Sequence, residues 1–188
     1  MELYLQFSSM LREIYGEYLR LGRQDGCISS MKIRKDILKE WKLTEEEVWK
    51  NAVENTSLMT PPRIYRWEEL LVTPLYSGDD FMNDEKLYFL DRENFAGLCL
   101  STALRTNGAV AVFLPGVAQR LADLLNDSFY IVFTSIHEAM IHAAQNVYPE
   151  DLIKVMHDSI KEATSEQDFL TDKLYFYNRN EEKIAQYN

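Results

Sequence analysis

A chain of 188 residues, 46% of them hydrophobic, can bury a core of its own without disulfides or a structural metal. Its 20 basic and 30 acidic side chains leave a formal charge of −10. A nucleic-acid backbone repels such a surface, so direct nucleic-acid binding is not expected, whereas a basic partner is attracted. Cys27 and Cys99 form no CxxC pair, which argues against a secreted disulfide framework and against a zinc ribbon.

The opening segment, MELYLQFSSMLREIYGEYLR, carries charges inside its apolar pattern and does not read as a signal peptide. No run of about 18 apolar residues occurs, so no transmembrane helix is expected and the chain reads as cytoplasmic. Leu3, Phe7, Met10, Ile14 and Leu21 recur at helical spacing, with Leu11, Tyr15 and Tyr18 widening the stripe. The expected organisation is an N-terminal helix over 1–23 and a single α+β domain over 24–188. The face bearing Tyr15 and Tyr18 is a candidate homodimer surface.

CISSMKI alternates as a short strand, and RKDILKEWK as a short helix. In LTEEEVWKNAVENT, Thr44 and Glu47 have the spacing of a capping box, in which each side chain satisfies an orphan N–H of the helix start. Glu45, Glu46 and Glu47 then sit at the positive end of the helix dipole. Pro61 and Pro62 stop that helix. The loop TPLYSGDDFMNDEK gathers Asp79, Asp80, Asp84 and Glu85. These carboxylates are candidates for partner binding; they lack the spacing of an EF-hand loop.

Strands are expected near 28–33, 86–91, 98–103, 109–114, 129–135, 138–144 and 173–178. The stretch at 109–114 is chosen for its small and branched residues. VAQRLADLL and YPEDLIKVMHDSIKEA are amphipathic helices, the second begun by Pro149 with Glu150 and Asp151 in its first turn. NRNEEKIA reads as a turn and tail. The pattern predicts an α+β fold with a mostly antiparallel sheet and helices packed on one face.

TSIHEAMIH brings His137, Glu138 and His142 close in sequence. A zinc-protease helix needs HExxH, because residues four apart share a face. Here the histidines are five apart, and on a helix their rings would diverge by about 140°. The flanking runs favour strands, so Ser135, Ile136, His137 and Glu138 read as a hairpin connection. Ser135, His137 and Glu138 also name a hydrolase trio, but sequence neighbours rarely approach one substrate from different directions. No GxSxG elbow and no glycine-rich phosphate loop is present. No catalytic residue, metal or cofactor is therefore assigned.

Three stretches resemble a bacterial family, domain of unknown function 5688. They are ILKEWKLTEEEVWKNAVENT with TPPRI, GAVAVFLPGVAQRLADLL, and FYIVFTSIHEAMIH followed by a helix and KLYFYNR. The resemblance runs from about residue 28 to about residue 185. Family members are usually longer at the N-terminus, and a proline usually stands where this chain has Phe133. The resemblance implies no established activity, so it transfers no catalytic residue. The expected function is a non-enzymatic, acidic protein-binding module, its partner a protein with a basic surface. A sharper version is an inhibitor carried by a mobile element, which occupies the basic channel of a bacterial defence nuclease or other nucleic-acid-processing complex as an anti-CRISPR protein does. The alternatives are a hydrolase using His137 with Glu138 and a self-associating regulatory module.

Overall fold

The computed structural model describes residues 35–66, 69, 72, 73, 75–83 and 97–187. The expected strands at 28–33 and 86–91, the N-terminal helix with Tyr15 and Tyr18, Cys27, Asp84 and Glu85 lie outside the described residues. The chain divides into two compact units, Met1–Pro61 and Pro62–Asn188.

In the first unit, helix α1 spans Lys35–Trp41 and helix α2 spans Glu45–Met59. Leu38 and Val48 are buried together, with Leu43 packed against them. The capping box is made in both directions. The Glu47 N–H donates to Thr44 Oγ1 at 3.2 Å, and the Thr44 N–H donates to Glu47 Oε2 at 2.8 Å. Those bonds, that from the Thr44 backbone first, hold the Glu47 carboxyl below its ordinary range. The cap is therefore complete above that range and weakens as pH falls through it. Thr44→Ala is expected to cost about 1 kcal/mol of stability, read by thermal melting followed by circular dichroism.

The second unit is a six-stranded sheet, antiparallel at every pairing. Its strands are β1 (Pro62–Tyr65), β2 (Leu98–Thr102), β3 (Phe129–Phe133), β4 (Ala139–Ala143), β5 (Tyr175–Asn178) and β6 (Lys183–Gln186). They lie in the order β1-β2-β4-β3-β5-β6. The β3–β4 hairpin is the centre, with Phe133 opposite Ala139 and Phe129 opposite Ala143. Every residue of β3 is buried, as its uninterrupted FYIVF run requires of a strand covered on both faces.

Helix α4 (Pro149–Ala163) covers one face. Its Leu152 and Met156 pack with Tyr130, Val132 and Leu174. On the other face Phe113 stacks on Phe133 at 6.1 Å, and Phe129 on Tyr177 at 4.9 Å. Burying each such ring or aliphatic side chain contributes about 2 kcal/mol. Helix α3 (Val117–Leu125) buries Val117, Leu121, Ala122 and Leu125, the spacing its sequence predicts.

One expected strand is corrected. Gly108–Phe113 is a six-residue 3-10 helix, although GAVAVF is as apolar as a core strand. β2 is already flanked by β1 and β4, and β3 by β4 and β5, so no interior place in the sheet is open. The segment satisfies its backbone locally instead, with the Leu114 N–H on the Ala111 carbonyl at 3.1 Å. Two strands escape sequence reading. β1 begins at Pro62, which an edge strand tolerates because that position needs no N–H in the ladder. β6 is polar and largely exposed, so it shows no apolar alternation. The outer edge of β1 is blunted by Asp79, which exchanges both backbone hydrogen bonds with Ile64.

Candidate functional site

The TSIHEAMIH stretch forms the turn that follows β3 and most of β4. Within the turn the His137 backbone N–H donates to Ser135 Oγ at 3.0 Å, a local serine turn. The His137 ring is held on both sides. The Asn107 backbone N–H donates to Nδ1 at 3.0 Å, and Nε2 lies 3.2 Å from Asp168 Oδ1. An N–H pointing at Nδ1 requires a lone pair there, so the ring proton sits on Nε2 and is donated to Asp168. Asp168 is itself set by Ser165, whose hydroxyl donates to Oδ2 at 2.8 Å. Its carbonyl accepts the Ile136 N–H at 2.8 Å. His137 thus clasps the hairpin turn to two other loops, with both ring nitrogens engaged.

Glu138 points the other way, because adjacent residues at a strand end project to opposite sides. Its Oε1 accepts from the Thr134 hydroxyl at 3.0 Å, and its Oε2 lies 3.5 Å from Cys99 Sγ. The structure therefore does not bring Ser135, His137 and Glu138 together as a trio. His137→Ala is expected to cost about 2 kcal/mol, chiefly by orphaning the Asn107 N–H, since Asn107 is buried. Urea unfolding of the variant checks the value.

The acidic loop also has internal work. Asp79 Oδ2 accepts from Arg66 Nε at 3.0 Å and from the Tyr76 hydroxyl at 2.6 Å. Burial and that carboxylate push the Tyr76 phenol up to about 12. Asp80 Oδ1 pairs with an Arg63 guanidinium nitrogen at 3.3 Å. Two of the four carboxylates singled out in the sequence thus pin their loop to β1 and its exit.

A concave surface among the described residues of this unit lies elsewhere. A groove of about 740 Å³ opens between α4 and the sheet. Val132, Met140, Leu152, Val155 and Met156 form its apolar body. Glu138, Thr134 and Thr164 stand at one end, and His142, Asn146 and Asp151 also contribute. No lysine or arginine is among its described lining residues. Glu138, Met140 and His142 share one face of the chain, because side chains two apart on a strand project alike. That period-two signal was present in the sequence. The expected strand over 138–144 already holds all three residues; that their face lines a groove depends on α4, which is remote in sequence.

Two groups are tuned by burial, His142 in the groove lining and Cys99 beside Glu138. Desolvation lowers the His142 pKa from its ordinary 6.5 to about 4, so its ring is neutral. Gly97 lies flat against that ring at φ +121°, and a Cβ there would come within 2.6 Å of His142 Cε1. Burial first, and then the Glu138 carboxylate, push the Cys99 thiol up. Cys99 is therefore an inert thiol rather than a nucleophile. Among the described residues no group of three or more histidine, cysteine, aspartate and glutamate side chains could hold a metal ion. No helix among them is long and apolar enough to cross a membrane.

These features define an α+β protein built on a six-stranded antiparallel sheet, with an apolar, acid-tipped groove on one face. The chain belongs to DUF5688, a family of unknown function, whose model matches residues 17–179. No curated protein and no solved structure matches it.

Proposed function

We propose that this chain is a non-enzymatic binding module whose partner is a protein with a basic surface, docked over the groove beneath α4. The groove carries the reading. It combines an apolar interior with carboxylates and no described basic side chain, on a chain of net charge −10. Helix periodicity extends the same pattern outward. Asp151, Val155, Asp158 and Glu162 stand four, three and four residues apart, which aligns them along one side of α4. All four are exposed, Val155 by 60%. An apolar centre with an acidic rim favours a partner that is apolar at its contact and basic around it. The engagement of both His137 ring nitrogens weighs against the hydrolase alternative.

The test is capture of a partner from bacterial lysate by the full chain, at low and at high salt, beside the combined variant Asp151→Lys, Asp158→Lys and Glu162→Lys. A stoichiometric basic partner is expected, lost both as salt rises and in the variant. A partner held equally by the variant refutes this docking face. A nuclease or nucleic-acid-processing complex among the captured proteins, inactive while bound, supports the inhibitor version.

A further inference from the structure

We infer that the Glu138 end of the groove receives a lysine side chain presented by the partner, the stem lying along the groove's apolar wall and the ammonium pairing with the Glu138 carboxylate. This rests on the reading of the groove as a docking face and adds which side chain enters it.

The first ground is an incomplete ion pair. Glu138 is only partly exposed. Its oxygens accept one hydroxyl and one distant thiol, and no cation lies within ion-pair distance among the described residues. Asp79, Asp80, Asp123 and Asp168, by contrast, each have a cationic or imidazole partner. A half-buried carboxylate facing an apolar groove gains most from a charged donor, because a charge-assisted hydrogen bond offsets desolvation on both sides.

The second ground is shape. Val132, Met140 and Met156 line the wall near Glu138, and methionine adapts to a passing aliphatic chain. Lysine buries its methylenes along apolar surface while its charge reaches a polar site. It suits the site better than arginine does. Each Glu138 oxygen already faces one side-chain donor, and a compact ammonium adds a third without the in-plane fork that a guanidinium demands.

The experiment uses the full chain with isotopically labelled methionine methyls. It is titrated with hexylamine, which mimics a lysine stem and ammonium, and with hexanoate, which has a comparable body of opposite charge. Hexylamine is expected to shift the Met140 and Met156 signals, and hexanoate to leave them in place at equal concentration. Glu138→Gln keeps the side chain's shape and is expected to weaken hexylamine on the order of tenfold, the loss of one charged hydrogen bond. Glu181→Gln, at an exposed position in the turn between β5 and β6 that is not part of the groove lining, is expected to change hexylamine binding by less than about twofold, since an exposed surface charge contributes little. Equal binding of both probes, binding of neither, or unchanged hexylamine affinity in Glu138→Gln overturns the inference. The capture experiment separates the two proposals. A partner lost on rim reversal but held at full affinity by Glu138→Gln removes the lysine anchor and leaves the docking face. Glu138-dependent hexylamine binding with a partner indifferent to rim reversal removes the docking face and leaves the site a cation-binding one.

Discussion

Gly108→Ala is expected to destabilise the sheet unit by about 3 kcal/mol, at the upper end of the cost of overfilling a packed site. An added Cβ would overlap Ser101 Oγ, and would come within 2.6 Å of the His137 carbonyl oxygen and 2.8 Å of the Thr102 backbone nitrogen. Two of these three are backbone atoms, which cannot swing away as the tip of a flexible side chain can. Relief requires moving β2 or the hairpin turn, and both are tied. The Ser101 hydroxyl donates to the His137 carbonyl at 2.7 Å, and the neighbouring Asn107 N–H holds the His137 ring. The substitution therefore strains the turn, the end of β2 and the start of the 3-10 helix together. Urea unfolding should show a lower midpoint at an unchanged slope. A midpoint within the error of the parent would mean that the 3-10 segment is free to move and that the turn is not clasped as described.

The second large effect is on pH. His142 has its pKa lowered by desolvation to about 4 from an ordinary 6.5. The unfolded chain gains the proton below about 6.5, and the folded chain only below about 4. In that window the unfolded state binds more protons, so stability rises with pH there. The contribution is full above 6.5 and is lost as pH falls, reaching about 3 kcal/mol by pH 4. His142→Leu removes the titration, fits the apolar side of the groove and should flatten the stability curve by that amount between pH 6.5 and 4. Carboxylates titrate over the same range, so the measured quantity is the difference between parent and variant in denaturant midpoint across pH. Parallel curves would mean that the ring is solvated and that the groove is wetter around His142 than its burial indicates.

Much of the architecture was legible in the residues. Alternation and run length placed β2, the β3–β4 hairpin and β5 to within about two residues. Thr44 with Glu47 marked the start of α2, and Pro149 marked the start of α4. Each of these signals is local, because a cap, a turn or an amphipathic face is made by residues close in sequence. The same locality showed that histidines five apart do not form a zinc helix, and that His137 belongs to a turn.

What stayed hidden depends on residues far apart in the chain. The partners of His137 are Asn107, 30 positions before it, and Asp168, 31 after it; no spacing rule links them. GAVAVF has a strand's composition, yet it is a 3-10 helix beside a sheet whose interior places around β2 are taken. Nothing in the spacing of Asp79 and Asp80 marks the Arg63, Arg66 and Tyr76 side chains that the fold sets beside their carboxylates. The groove exists because α4 returns over the Val132 and Met140 side of the sheet and leaves part of it uncovered. The sequence by itself thus determined the fold class, the charge and the local elements. The tertiary structure alone decided which carboxylates are satisfied internally and which, at Glu138, still faces an opening, because satisfaction depends on atoms that only folding brings within hydrogen-bond reach.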